Sequence, residues 1–303
     1  MLSTGFYQKN ILSTALSTLM LVIFITGCSD DNQQNASQDK IDKIDKIDKT
    51  EELYLSGERC FEGKKYTEAV KYFREAAEQG YAKAQNRLGE CYAKGNGVEK
   101  DPEEAVKWFR KAAEQELADA QLNLGKCYSR GTGITRDVKE ALEWIRKAAE
   151  QGHAEAQFLL GACYFDTEKH SEAIKWIRKA ADQGHEEAQL CLGLYYHSGM
   201  GVKKDFDEAV MWFRKAAEQG NAKGQYYLGE CYFKGEGVPK NFDESLRWVI
   251  KSAQQGNADA QFFLGLCYAL GEGLPRNHAE GMRLIRKAAE QGHKNAQKLL
   301  DEL

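Results

Sequence analysis

A single glutamine recurs along most of the chain at a nearly fixed period. It follows alanine, or glycine once, and its seven copies are separated by 36 residues except for one interval of 32. The copies are Gln85, Gln121, Gln157, Gln189, Gln225, Gln261 and Gln297. A period in this range indicates a solenoid, in which each unit buries its apolar face only against its neighbours. Such a chain is expected to have an extended binding surface rather than a catalytic pocket.

Each repeat is predicted to be an antiparallel pair of helices. In residues 81–116 the apolar side chains recur at helical spacing in two runs, which Gly95-Asn96-Gly97 separates. Asp101 followed by Pro102 is typical of the start of a second helix. A glycine that adopts a left-handed conformation is expected to end the second helices. These glycines are Gly80, Gly152, Gly184, Gly220, Gly256 and Gly292, and Glu116 takes this place once.

The recurring phrase resembles a known repeat. In one unit it consists of Leu88-Gly89, Tyr92, Gly95, Gly97-Val98, Asp101, Ala105, Trp108 and Ala112-Ala113. This phrase is similar to the Sel-one-like repeat (SLR), a relative of the tetratricopeptide repeat, and the resemblance spans about residues 51–303. It implies an all-α fold, a right-handed α/α superhelical solenoid of about seven antiparallel helix-pair repeats plus a C-terminal capping helix over 293–303. Two units, 51–80 and 153–184, are short and lack the Gly-x-Gly loop.

Residues 1–27 are predicted to be a lipoprotein signal peptide. Lys9 precedes the apolar run Ile11–Ile25, which is too short and too interrupted by serine for a good membrane-spanning helix. The sequence up to Cys28 resembles the lipobox of bacterial lipoproteins, which implies cleavage before Cys28 and lipidation of that residue. Because Ser29 rather than Asp follows, the resemblance implies an outer-membrane lipoprotein that faces the periplasm. The alternative is an ordinary uncleaved N-terminal anchor.

Residues 28–50 are predicted to be a polar, flexible tether between the lipid and the folded body at 51–303. Apart from Ile41, Ile44 and Ile47 the segment has almost no apolar side chains, so it cannot bury enough surface to offset the entropy of ordering. The three isoleucines recur near a helical period, and the alternative is that Lys40–Lys49 extends the first helix.

Several classes of function have no support in the sequence. The net charge of −4, with acids and bases interspersed, gives no basic stripe for nucleic acid. His153, His185 and His293 share one repeat position, so they lie too far apart to bind one metal ion. The Gly-x-Gly loops follow helices and lack the residues of a phosphate-binding loop. We therefore expect no metal, no cofactor and no enzymatic activity.

The cysteines other than Cys28 occur about once per repeat. They are Cys60, Cys91, Cys127, Cys163, Cys191, Cys231 and Cys267. Equivalent positions of stacked repeats lie ~10 Å apart, beyond the ~4.4–6.8 Å between Cα atoms that a disulfide tolerates. They are predicted to be buried free thiols. Cysteine-rich members of the SLR family, some linked to penicillin binding or β-lactamase activity, carry two cysteines per repeat, and this chain lacks the second.

A partner-binding groove is predicted on the first helices, which line the inner, concave wall if the units stack as tetratricopeptide repeats do. The groove becomes apolar from the third complete repeat onward, and aromatic side chains are typical anchors of partners. The predicted partner-binding residues are Phe158, Phe165, Leu190, Leu194, His197, Tyr226, Phe233, Phe262 and Leu266. Its first part is polar and carries Asn86, Glu90, Lys94, Lys126 and Arg130. The alternative is that Phe158, Tyr226 and Phe262 pack between adjacent first helices.

These observations favour a membrane-tethered scaffold that faces the periplasm and binds a protein or peptide in its groove. A narrower hypothesis follows from lipoproteins of this repeat class, which resemble immunity proteins that neutralise type VI secretion phospholipases. A third hypothesis is that the protein is an adaptor in envelope assembly, which resembles the role of other family members. The alternative from another functional class is an enzyme that acts on β-lactams, as in the cysteine-rich members.

Overall fold

The computed structural model describes residues 49–302, and every regular element in that range is a helix. Residues 1–48, including the predicted signal peptide, Cys28 and nearly all of the tether, lie outside the described residues. The first described helix already contains Lys49 and buried Thr50, so the folded body starts slightly before the predicted boundary at 51. No helix in this part of the chain is long and apolar enough to cross a membrane.

The helices alternate between first and second members of seven pairs, followed by one more helix. The first helices are α1 (described over 49–62), α3 (Ala82–Lys94), α5 (Ala118–Arg130), α7 (Ala154–Asp166), α9 (Glu186–Ser198), α11 (Ala222–Lys234) and α13 (Ala258–Leu270). The second helices are α2 (Tyr66–Glu78), α4 (Pro102–Glu114), α6 (Val138–Glu150), α8 (His170–Asp182), α10 (Phe206–Gln219), α12 (Phe242–Gln254) and α14 (His278–Glu290). The last helix is α15 (Lys294–Asp301). The predicted all-α solenoid of seven pairs and a C-terminal helix is confirmed.

The chain divides into two compact units. Within the described residues, the first contains residues 49–88 together with Asn96–Glu99, and the second contains Gly89–Gly95 and residues 100–302. Within the second unit, each first helix packs on the second helix of its own pair and on the second helix of the preceding pair. The core is therefore a row of small clusters, each built from neighbouring helices.

Short polar residues and left-handed residues set the ends of the helices. Asp101 accepts hydrogen bonds from the backbone N–H groups of Glu103 and Glu104, both at 3.0 Å, as an N-cap should. The predicted C-terminal glycines all have positive φ. Glu116 adopts the same conformation, with φ 63°, so this turn follows the path of the glycine-containing turns.

The glycine of the Leu-Gly pair allows the two helices of a pair to approach closely. A Cβ atom on Gly229 would lie 2.8 Å from a methyl carbon of Val249 and 3.1 Å from the carbonyl oxygen of Ser245. The second glycine of the Gly-x-Gly loops has a comparable role between repeats. A Cβ atom on Gly237 would lie 2.2 Å from the carbonyl oxygen of Phe206, at the start of the preceding second helix. These glycines therefore belong to the packing of the solenoid.

The repeating glutamine links three consecutive helices. Gln225 is buried, its Nε2 donates to the carbonyl oxygen of Ala217 at 3.2 Å, and its Oε1 accepts from Nε2 of Gln255 at 2.9 Å. The same pair of bonds recurs at Gln121, Gln157, Gln189 and Gln261. A buried amide with both ends satisfied explains the recurrence of this glutamine.

The cysteines differ from one another more than predicted. All seven are free, and Cys91, Cys231 and Cys267 are buried as expected. Cys60, Cys127 and Cys191 are half-buried, and Cys163 is exposed, so the prediction of a buried thiol is wrong for Cys163. Cys163 lies near the end of α7 in the short fourth repeat, where the chain turns directly into α8 without a Gly-x-Gly loop.

Candidate functional site

The solvent-facing side of the first helices forms the candidate site. On α13 this side carries Asp259, Phe263, Leu266 and Leu270, which follow one another at intervals of four, three and four residues. Residues at this spacing share one face of a helix. We call the equivalent side chains of α5, α7, α9, α11 and α13 the open stripe. Its other members are Asp119, Asn123, Lys126, Arg130, Glu155, Leu159, Ala162, Asp166, Glu187, Cys191, Leu194, Ser198, Lys223, Tyr227, Glu230 and Lys234.

Four of the predicted anchors belong to the interior instead. Leu190 is only 8% exposed and lies in the cluster with Phe213 and Leu228, so the prediction that it faces an open groove is wrong. Tyr226 packs against the cluster that contains Leu264, on the next first helix.

Phe158 and Phe262 also pack between first helices. Phe158 stacks on His185, with ring centroids 4.9 Å apart, and Phe262 lies 4.5 Å from the ring of His293. Both histidines directly precede the next first helix and cap it through Nδ1. The alternative interpretation was that Phe158, Tyr226 and Phe262 pack between adjacent first helices. The structure places these three side chains there.

Phe165, Phe233 and His197 share one repeat position and join neighbouring repeats. Phe165 stacks on Tyr195 of the next first helix at 5.1 Å, and the ring of Phe233 meets the edge of Phe263 at 5.2 Å. Nε2 of His197 lies 2.9 Å from a carboxylate oxygen of Glu236, in the Gly-x-Gly loop of the next repeat. All three are half-buried, so they support the open stripe from one side.

Leu194 and Leu266 lie on the open stripe, and both are half-buried. The sequence analysis missed Tyr227, Phe263 and Leu270, which complete the apolar part of the stripe. Leu270 is 64% exposed, more than any other large apolar side chain in the described range. Phe263 and Leu270 lie three residues before and four residues after Leu266, and this spacing was the signal that places them on the same helix face.

The first part of the stripe is polar, as predicted. Lys126 on α5 forms an ion pair of 2.6 Å with Glu155 on α7. Glu90 is half-buried, whereas Lys94 and Arg130 are exposed. Asn86 is buried and does not reach the surface. The stripe is most apolar on α13, where three of its four positions are apolar, whereas on α11 only Tyr227 is aromatic or apolar.

Carboxylates border the stripe near the start of the first helices. We call Asp119, Glu155, Glu187 and Asp259 the acidic row. Their side chains are between 46% and 63% exposed, although a histidine or lysine lies beside each. Their charge reaches over the stripe: burial raises the pKa of the Tyr227 hydroxyl, and the carboxylates of Asp259 and Glu230 raise it further.

The opposite side of the repeats, formed by the second helices, is highly charged. Lysine ammonium groups lie over the tryptophan rings, as with Lys147 at 4.0 Å from the ring centre of Trp144 and Lys215 at 3.9 Å from that of Trp212. The lysines shield the aromatic faces from contact with a partner. Val138 and Met211 are isolated exposed apolar side chains on this side.

The described residues do not assemble a recognisable metal site. In the range 49–302 no three or more His, Cys, Asp and Glu side chains are placed to hold a metal ion. Nδ1 of His153, His185 and His293 each accepts a backbone N–H at the start of a helix, which gives these histidines a structural role. The geometry of the stripe is that of a contact surface.

The fold and the repeated residues define the family. Seven Sel1 repeats match the chain, over residues 52–81, 82–117, 118–153, 154–185, 186–221, 222–257 and 258–293. The chain therefore belongs to the Sel1 repeat family, whose members bind protein partners on a fold that is generally a non-catalytic scaffold. No curated protein matches the chain in sequence.

Solved structures are similar to this chain over most of its length. A protective antigen present in uropathogenic Escherichia coli strains, which displays an SLR fold, is 36% identical with a TM-score of 0.76. The match covers 88% of this chain and 58% of that one, so this chain spans a little over half the antigen's length. A Sel1 repeat protein from Oxalobacter formigenes is 39% identical with a TM-score of 0.70, covering 78% of this chain and 96% of that one.

Proposed function

We propose that the protein is a membrane-tethered scaffold that faces the periplasm and binds a protein or peptide partner on the open stripe. The observation that carries the proposal is the apolar run on the outer side of α13, in which Leu270 is 64% exposed and Phe263 and Leu266 are half-buried. Half-buried Tyr227 occupies the position of α11 that is equivalent to Phe263. Exposed apolar side chains rimmed by charged ones are typical of binding surfaces. Membership of a family that binds protein partners supports the same reading.

The tether and the location are proposed from the sequence. The apolar run before Cys28, the lipobox-like residues and the polar segment that follows support lipidation at Cys28. Ser29, in place of an aspartate, supports the outer membrane. Replacing Cys28 by Ala should abolish metabolic labelling with a radioactive fatty acid and release the protein from washed membranes. A Cys28→Ala protein that stays membrane-bound with an intact N-terminus would show that Ile11–Ile25 is an uncleaved anchor.

Partner binding is tested with variants of the stripe on α13, where Leu270 is exposed and Leu266 is half-buried against the last core cluster. The mature protein is used to capture proteins from envelope extract, and the captured proteins are quantified by mass spectrometry. Leu266→Ser with Leu270→Ser should reduce capture of the specific partner about tenfold or more, as expected for truncated anchors. Val138→Ser with Met211→Ser is the matched control, because it removes two exposed apolar side chains from the second helices.

Circular dichroism and thermal unfolding must first show that both double variants are helical and of similar stability. If the stripe variant captures the partner as well as the unaltered protein does, the stripe is not the binding site. If the control variant loses the partner, the binding surface lies on the second helices. Tyr226→Ala with Phe262→Ala is less suitable for this test because both side chains are half-buried against core clusters, whereas the stripe variant includes Leu270, which is 64% exposed.

A further inference from the structure

We infer that the open stripe of α7, α9, α11 and α13 binds an amphipathic helix of the partner whose apolar face is bordered by lysine and arginine. The inference rests on the proposed function and specifies the chemistry of the partner. It is argued from the width of the stripe, its length and the charges along its border.

The width fits a helix better than an extended strand. Asp259 and Leu270 mark the two borders of the stripe on α13 and lie eleven residues apart. At ~1.5 Å per residue this corresponds to roughly 16 Å along the helix axis, and a helix with its side chains is ~10–12 Å wide. A single extended strand is only ~5 Å wide and would leave much of the apolar surface between Phe263 and Leu270 in contact with water.

The length sets the size of the partner segment. Adjacent packed helices lie ~8–10 Å apart, so the four helices from α7 to α13 span roughly 25–30 Å. A helix of ~20 residues has this length. It would cross the first helices and contact Leu159, Leu194, Tyr227 and Phe263 in turn.

The charges along one border select basic side chains. Glu187 and Asp259 of the acidic row are more than half exposed, whereas the charge of Glu155 is already offset by its ion pair of 2.6 Å with Lys126. Their partners His185 and His293 are mostly buried. The carboxylates of Glu187 and Asp259 are more exposed than these histidines, so they keep oxygen atoms that face solvent. Lys223 is the exception on this border. A partner helix with lysine or arginine along this edge would bring opposite charges together.

The opposite border differs in charge. It carries Arg130, Asp166, Ser198, Lys234 and Leu270 from successive first helices, and acidic side chains do not dominate it. A bound helix therefore meets a negative border on one side and a mixed or apolar border on the other. This asymmetry predicts an orientation, with the basic flank of the partner toward the starts of the first helices.

The test uses three synthetic helical peptides of about 20 residues. One combines a leucine face with a lysine flank, the second has glutamate in place of lysine, and the third keeps the lysines with serine in place of leucine. Binding to the purified full chain is measured by fluorescence anisotropy at low and at physiological salt. The leucine and lysine peptide should bind more tightly than either of the others.

Charge-reversal variants locate the contact. Glu187→Lys with Asp259→Lys should weaken the leucine and lysine peptide about tenfold and strengthen the leucine and glutamate peptide. Glu150→Lys with Glu218→Lys makes the same change in net charge on exposed positions of the second helices and should leave binding nearly unchanged. The neutral pair Glu187→Gln with Asp259→Asn should have an intermediate effect, and circular dichroism controls for folding in every case.

The outcomes separate this inference from the proposed function. If the lysine and glutamate peptides bind equally and Leu266→Ser with Leu270→Ser weakens both, the stripe binds partners but the basic flank is wrong. If the two charge-reversal variants weaken binding alike, the attraction is unspecific and the inference fails. It also fails if no peptide binds, or if sedimentation shows a dimer that the same serine variant dissociates, since a second copy then covers the stripe.

Discussion

Replacing Glu116 by glycine should stabilise the protein. Glu116 has φ 63°, and its backbone N–H donates to the carbonyl oxygen of Ala113 at 3.0 Å. At the equivalent turn, Gly152 makes the same bond to Ala149 at 3.0 Å, and a Cβ atom there would meet nothing within 4 Å. The strain at Glu116 therefore comes from its own backbone conformation and not from a clash with a neighbour.

The magnitude follows from two opposing terms. A residue with a Cβ atom loses roughly 1–2 kcal/mol in the left-handed conformation. Glycine loses roughly 0.5–1 kcal/mol more backbone entropy on folding. The net gain for Glu116→Gly is about 1 kcal/mol or slightly less, which corresponds to a rise in Tm of roughly 2–4 °C for a chain of this size.

The matched variant is Glu116→Ala, which removes the exposed carboxylate and keeps the Cβ atom. It should leave the free energy of unfolding in urea nearly unchanged, whereas Glu116→Gly should raise it. Glu168 has φ 59°, so Glu168→Gly should raise the free energy of unfolding by a similar amount. The effects of the two substitutions should add because the sites are distant from each other. The reasoning is refuted if Glu116→Gly is no more stable than Glu116→Ala.

Three further predictions concern the core. Gln225→Leu should lower the free energy of unfolding by about 2 kcal/mol, because two buried hydrogen bonds are lost. Gln254→Leu, on the surface, should change it little. Equal effects of the two variants would contradict the linking role of Gln225. Gly237→Ala should lower the free energy of unfolding by about 3 kcal/mol, because of backbone strain and overlap of the new Cβ atom with Phe206. Gly256→Ala should lower it by about 1 kcal/mol, because a Cβ atom there has open space. Urea titration measures both values, and equal losses would exclude a close approach between Gly237 and Phe206. Burial raises the pKa of Cys231 to about 12 and that of Cys267 to about 11, from an ordinary value of 9.0. Unfolded thiols ionise first as pH rises, so stability should fall above about pH 9. Cys231→Ala with Cys267→Ala should flatten that fall in urea titrations at several pH values, and an unchanged slope would contradict burial as the cause.

The repeat period, the helix pairs and their caps could all be predicted from the sequence because local rules determine them. The left-handed Glu116 followed from its alignment with Gly152. The role of the recurring glutamine could not be predicted, since its two partners lie eight residues before and thirty after Gln225 and meet only when the helices pack.

The candidate site was only partly predictable for a similar reason. One residue along a helix turns the side chain by about 100°, so Phe262 and Phe263, both half-buried, pack against different clusters and only Phe263 is in line with Leu266 and Leu270. Which cluster each side chain meets depends on how adjacent first helices cross, and a single repeat does not contain that information. Leu194 and Leu266 were found because their position is half-buried, and not fully buried, in every repeat of the second unit.

Site-specific photo-cross-linking in the producing cell shows directly whether a partner binds on the open stripe. A photoreactive amino acid replaces Leu270, Leu194 or Glu187 on the open stripe, or Val138 or Met211 on the second helices, in otherwise unaltered protein. The account predicts that the stripe positions cross-link to one and the same partner and that the second-helix positions do not. Cross-links to that partner from Val138 and Met211, with none from Leu270 and Leu194, would contradict it.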